Sequence, residues 1–195
     1  MTKRQRRIVL SVITVALALA TLKLAIPAQP DLPVLEDIGG ALQAPSTRDR
    51  EVSLDDFRGR VVLLNFGFTS CPDVCPTVLA RMRALLLDLE ALQADVQPLF
   101  VTIDPERDRL PGLDRYLSNF HPRFIGLRPE PDELERIAAR YRAVYQREDM
   151  PSGLDYGFAH SSHIYLIDGR GRVRAMFGAA ARIPEMVAAV RSVAS

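Results

Sequence analysis

The chain has 195 residues, 48% of them hydrophobic, and a formal net charge of +1, which suits one domain with a short appendage and a sizeable core. Five of the 25 basic residues (Lys3, Arg4, Arg6, Arg7 and Lys23) lie in the first segment, so from Ala28 onward 20 basic residues face all 24 acidic ones, a formal −4. A folded part of that sign argues against nucleic acid as a partner.

In chain order, the basic flank is followed by an apolar run from Ile8 to Leu22, then Lys23 and Leu24-Ala25-Ile26. Counted through Lys23, whose stem can snorkel to the interface, this is long enough to span a bilayer. A small-x-small cleavage signal is poor, because Ile26-Pro27-Ala28 places isoleucine at the first small position. Residues 1–27 therefore read as a cytoplasmic basic flank and an uncleaved transmembrane signal anchor. Positive-inside bias then leaves the rest of the chain on the periplasmic or extracytoplasmic side of the inner membrane, after a single pass. Residues 28–45, rich in proline and small residues, read as a linker running into the domain edge. Residues 46–195 read as the folded domain.

Within that domain, Arg50 to Leu54 reads as a short strand, and the stretch from Val61 to Pro76 opens with an apolar run, rich in valine and leucine, that has the character of a buried strand. A turn carrying Cys71 and Cys75 follows, and Thr77 to Leu89 continues as an amphipathic helix with Pro76 in its first turn. Val96 to Ile103 is a second core strand, Leu113 to Leu117 a helix, Phe124 to Leu127 a short strand, and Pro131 to Tyr141 a helix with acidic residues in its first turn. Ser162 to Ile167 and Val173 to Phe177 flank Asp168-Gly169-Arg170-Gly171 as a hairpin, and Ile183 to Val193 closes the chain as a helix. That order predicts an α/β layer fold with a mixed central sheet.

The only two cysteines, Cys71 and Cys75, sit at the strand-to-helix junction. The partial positive charge and free N–H groups of a helix N-terminus favour thiolate there. Three readings compete: a structural disulfide, a redox dithiol and a metal site, for which soft thiolates favour copper(I) or zinc. A metal needs a third ligand, and the histidines are His121, His160 and His163. His121 reads as an exposed loop residue. His160 precedes the hairpin strand in a loop, and His163 falls inside that strand. Three positions apart in a regular strand, the two should face opposite ways. Asp104, in the acidic cluster Asp104, Glu106 and Asp108, reads as a turn cap at a strand end. The alternative is that it lies near the cysteines and shapes their field.

Three stretches together carry a resemblance. Phe66-Gly67-Phe68-Thr69-Ser70-Cys71-Pro72-Asp73-Val74-Cys75-Pro76 is similar to the signature of the Sco/SenC family of copper proteins. Val101 to Asp108 and Asp155 to Leu166 resemble its second and third motifs, in the same order. The resemblance implies a thioredoxin-like fold, usually membrane-anchored, with copper held by Cys71, Cys75 and His160. It also implies assistance in assembling the dinuclear copper centre of cytochrome c oxidase. Partners would then be the copper-receiving oxidase subunit and other copper or thiol–disulfide proteins. The activity expected is that of a metal-binding assembly factor rather than an enzyme with turnover. An extracytoplasmic thiol–disulfide oxidoreductase, with Cys71 and Cys75 as its redox-active pair, is the alternative. His163 departs from the family pattern, which usually has an apolar residue there.

Overall fold

The structure, a computed structural model, describes residues 32–89, 95–149 and 156–194. The expected anchor at residues 1–27 lies outside them; among the described residues, no helix is long and apolar enough to cross a membrane.

Five strands form the central sheet in the order β5-β4-β3-β8-β9. They are β3 (Val61–Gly67), β4 (Val96–Thr102), β5 (Ile125–Leu127), β8 (Ile164–Ile167) and β9 (Val173–Phe177). β3 runs parallel to β4, and β4 parallel to β5, whereas β8 and β9 pair antiparallel. The sheet is mixed, as the pattern of elements predicted. All residues of β3 and β4 are buried, which is why they read as unbroken apolar runs rather than as alternation.

Each face of the sheet carries its own core. Val61 and Leu63 point to one face, with Leu79, Met82, Leu85 and Leu86 of α1 (Val74–Asp88). Leu113 and Leu117 of α2 (Leu110–Ser118) and Met186 and Val190 of α4 (Ile183–Val193) complete that layer. Val62, Leu64 and Phe66 point to the other face, against Leu134, Ile137 and Tyr141 of α3 (Pro131–Tyr141). Burial of each such side chain contributes about 1.5–3 kcal/mol, so the sheet and its helices make a stiff frame at the end of β3, where the cysteine loop begins.

Three expectations need correction. The stretch read as linker is part of the domain from residue 32 onward: Leu42 and Ala44 are buried, and Leu35 and Ile38 pack on the core. β1 (Gln43–Pro45) also pairs with β2 (Glu51–Ser53). Gly39 and Gly40, both at positive φ, bend this segment onto α3, where the Gly39 amide donates to the Arg140 carbonyl. His160 is not in a loop: it ends β7 (Tyr156–His160), which pairs with β6 (Tyr145–Asp149) as a separate two-stranded hairpin. His163 precedes β8 rather than lying within it, so strand parity does not relate it to His160.

Candidate metal centre

β3 delivers the chain to the site through Gly67. A β-carbon there would lie 2.8 Å from Cys75 Sγ and 3.0 Å from the Phe100 ring, so the absence of a side chain lets the cysteine pack against the strand end. Asp108 fixes the loop that follows. Its carboxylate accepts the Thr69 amide at 3.1 Å, the Thr69 hydroxyl, and the Thr102 hydroxyl at 2.6 Å. Burial raises the Asp108 pKa, opposed by these threonine donors. Asp104, by contrast, has local structural partners: it accepts the Arg107 amide, pairs with the Arg107 guanidinium and accepts the Tyr156 hydroxyl at 2.9 Å. Of the two aspartates, the one that holds the cysteine loop is Asp108.

Both cysteines are free thiols, Cys75 buried and Cys71 half-buried. The Cys75 amide, in the first turn of α1, points to Cys71 Sγ at 3.4 Å, so the sulfur takes up one of the N–H groups a helix start leaves unsatisfied. The Cys75 thiol as hydrogen-bond donor is the largest influence pulling the Cys71 pKa down, to about 3. Burial opposes this, while His160 and the Cys75 and Asp73 amides add to it. Cys75 is pushed upward by the same pairing with Cys71 and by its burial. The pairing thus favours the anion on Cys71 and the proton on Cys75.

His160 arrives from the hairpin. Its Nδ1 lies 3.0 Å from the Ser161 carbonyl, which can only accept, so in the neutral ring Nδ1 carries the proton and Nε2 keeps its lone pair. Nε2 faces Cys75 Sγ at 3.3 Å. Burial resists a charged ring here, but hydrogen bonding to Cys71 and Ser161 and the Cys71 charge outweigh it and raise the His160 pKa. Phe68 packs edge-on to the imidazole at 5.8 Å and to Phe158 at 5.3 Å.

The two sulfurs and the His160 nitrogen all lie within 4.8 Å of one another. A thiolate, a thiol and an imidazole whose second nitrogen is fixed by a carbonyl make a soft, three-atom donor set. Cys71 and His160 line an open cleft of about 420 Å³ that also reaches Val74 and Glu148, with Cys75 buried behind them. His121 and His163 are outside this cluster. The His163 ring lies 6.3 Å from that of Tyr165, and its Nδ1 is buried without a hydrogen-bond partner.

Arg107 ties the hairpin to the frame, a role that the sequence reading did not assign. It donates to the Tyr156 carbonyl at 2.9 Å, and its guanidinium stacks 3.7 Å from the Tyr156 ring centroid. Arg147 stacks on the same ring at 3.5 Å.

Residues 31–195 match the family model described as SCO1/SenC. Among curated relatives, a mitochondrial SCO2 homologue of Bos taurus is 42% identical over 118 residues, 60% of this chain and 44% of that one. A SCO2-like protein of Rickettsia felis is 37% identical over 139 residues, 69% of this chain and 66% of that one. The chain thus spans less than two thirds of the length of these relatives. Among solved structures, Arabidopsis thaliana ScoI with copper bound matches with a TM-score of 0.74 and 30% identity, covering 80% of this chain and 96% of that one. These likenesses give the fold as thioredoxin-like.

Proposed function

The chain belongs to the SCO1/SenC family, and from that premise we propose that it is a membrane-anchored copper-binding protein of cytochrome c oxidase assembly. On this reading Cys71, Cys75 and His160 are the copper ligands. The domain sits on the extracytoplasmic side of the inner membrane, held by residues 1–27. It delivers copper to the dinuclear centre of the oxidase or reduces the cysteines that will hold it. The observation that carries the reading is the convergence of two free sulfurs and one lone-pair-bearing imidazole nitrogen within 4.8 Å. Copper bound to the similar plant protein supports the choice of metal.

The residues divide the work. Cys71, where the pairing favours the anion, and Cys75, once its proton is released, would be the two thiolate ligands, so loading would release protons. His160 would supply the third ligand through Nε2, and because its pKa is raised, a proton held on the ring would leave as well. If the pair instead passes two electrons and its proton to a disulfide on the client, whose second sulfur takes a proton from water, Cys71 and Cys75 close their own disulfide and the site can no longer bind copper. Delivery and reduction are separated by a complementation experiment. In cells lacking this protein, a chain with His160→Ala should fail to restore the oxidase copper centre if delivery is the task. It should succeed if dithiol chemistry alone is needed. Failure of the unaltered chain to affect that centre would contradict the reading.

A further inference from the structure

The end of β3 away from the cysteines, about 20 Å off by strand rise, opens on a second hollow of about 410 Å³. Its charged lining is Arg60, Arg170, Arg172 and Arg174 against Asp95 and Asp168. Four cations against two anions reverse the sign of the domain, which from Ala28 onward is formally −4. Asp168 is buried and holds Arg172 at 2.8 Å and Arg174 at 3.1 Å, fixing two guanidinium groups in the wall. Arg170 is exposed on the rim beside them. The amides of Arg170 and Arg172 bond to the same aspartate at 3.0 Å, so the turn that carries these arginines is held from within.

The chain enters the domain on this face. Arg174 donates to the carbonyls of Leu32 and Pro33, and the Leu35 amide to the Val173 carbonyl. From Ile26, where the apolar run ends, to Leu32 the backbone can reach at most about 20 Å. We propose that the arginine hollow seats the phosphate headgroups of anionic phospholipids at the surface of the membrane that holds the anchor, so that the cysteine–histidine end points away from the lipid. This rests on the anchored reading above and adds an orientation to it. Guanidinium groups match phosphate oxygens in pairs, and the carboxylates of Asp168 and Asp95 keep the hollow from being a general anion trap.

The test is hydrogen exchange on the full chain with phosphatidylglycerol bilayers and, separately, phosphatidylcholine bilayers, beside a carbonate extraction of the same samples. Amides of residues 168–172 should be protected in phosphatidylglycerol only, and the protection should vanish in ~0.5 M salt, where screening is nearly complete. Replacing Arg60→Gln and Arg170→Gln should weaken the lipid preference by about fivefold per arginine, while the same positions as lysine keep most of it. Copper stoichiometry, read in parallel, should be unchanged in all variants and reports that they fold. Equal exchange in both lipids, or equal protection by inorganic phosphate alone, would overturn the lipid-facing assignment. Release of the chain by carbonate would contradict the anchor and not the hollow, whose lipid preference is read independently.

Discussion

The central sheet and the β6–β7 hairpin contribute to one site but are built on different principles. β3 is buried along its whole length and hydrogen-bonded on both edges, to β4 and β8. The hairpin strands pair with each other in a sheet of their own, and after Tyr145 every residue of β6 is exposed. The cysteines hang from the first region and His160 from the second. Apolar burial thus fixes the sulfur half of the site, whereas the histidine half rests on aromatic contacts, the Arg107 bridge and the Ser161–Val144 hydrogen bonds. Fewer buried contacts mean a lower local opening energy, so on the proposed ligand set a bond from copper to His160 would also close the hairpin onto the sheet.

The strongest way to break this comparison is at the sulfurs. Cys75→Ser should lower copper(I) affinity by on the order of a thousandfold, ~4 kcal/mol, because it removes the buried member of the pair. Chelator competition measures it, and an affinity within tenfold of the unaltered chain would mean that the frame does not supply the ligand. Removing the hairpin's contribution is the next largest change. His160→Ala should weaken copper(I) binding by at least an order of magnitude, ~1.4 kcal/mol, and His163→Ala should change it little; a larger loss from His163→Ala would reverse the assignment.

Arg107→Ala sharpens the contrast between the regions. It removes a carbonyl hydrogen bond, a stacked cation and the ion pair to the buried Asp104, together about 2–5 kcal/mol. Hydrogen exchange should quicken at residues 156–160 and stay unchanged at residues 61–67, with copper affinity falling severalfold. Equal quickening in β3 would show that the two regions open together.

The smallest expected change is with pH. Because pairing with Cys75 pulls the Cys71 thiol down to about 3, the thiolate is lost only as pH falls through that value. Alkylation of Cys71 should therefore be nearly flat from about pH 5 to 8, where an ordinary thiol gains about tenfold per unit. A rate that climbs like an ordinary thiol's would mean that Cys71 is not the charged sulfur.

What could be read from the sequence follows the same division. Pro131 to Tyr141 and Ile183 to Val193 are elements whose burial leaves a periodic apolar signature, and the structure has them at those bounds, whereas the run that opens at Val61 is legible because it is apolar without a break. Tyr145-Gln146-Arg147-Glu148-Asp149 leaves none, because four of its five residues face solvent. β1 was hidden among prolines and glycines for a similar reason: three residues are too few to show alternation. Missing β6 and β7 made His160 look like a loop residue. The motif resemblance selected it all the same, because the resemblance lay in residue identity and not in periodicity. The role of Asp108 was not legible, since its partners Thr69 and Thr102 come from the two parallel strands' ends and meet only in the fold.

The central claim, that the reduced pair with His160 forms the copper site, is tested most directly by an anaerobic copper(I) titration of the full chain against a competing chelator. It would be run once with the dithiol reduced and once with Cys71 and Cys75 joined as a disulfide. The account predicts about one copper(I) bound tightly per reduced chain, and none by the oxidised chain, whose sulfurs have no lone charge to offer. Equal affinity in the two states would contradict it, because the metal would then be held by something other than these cysteines.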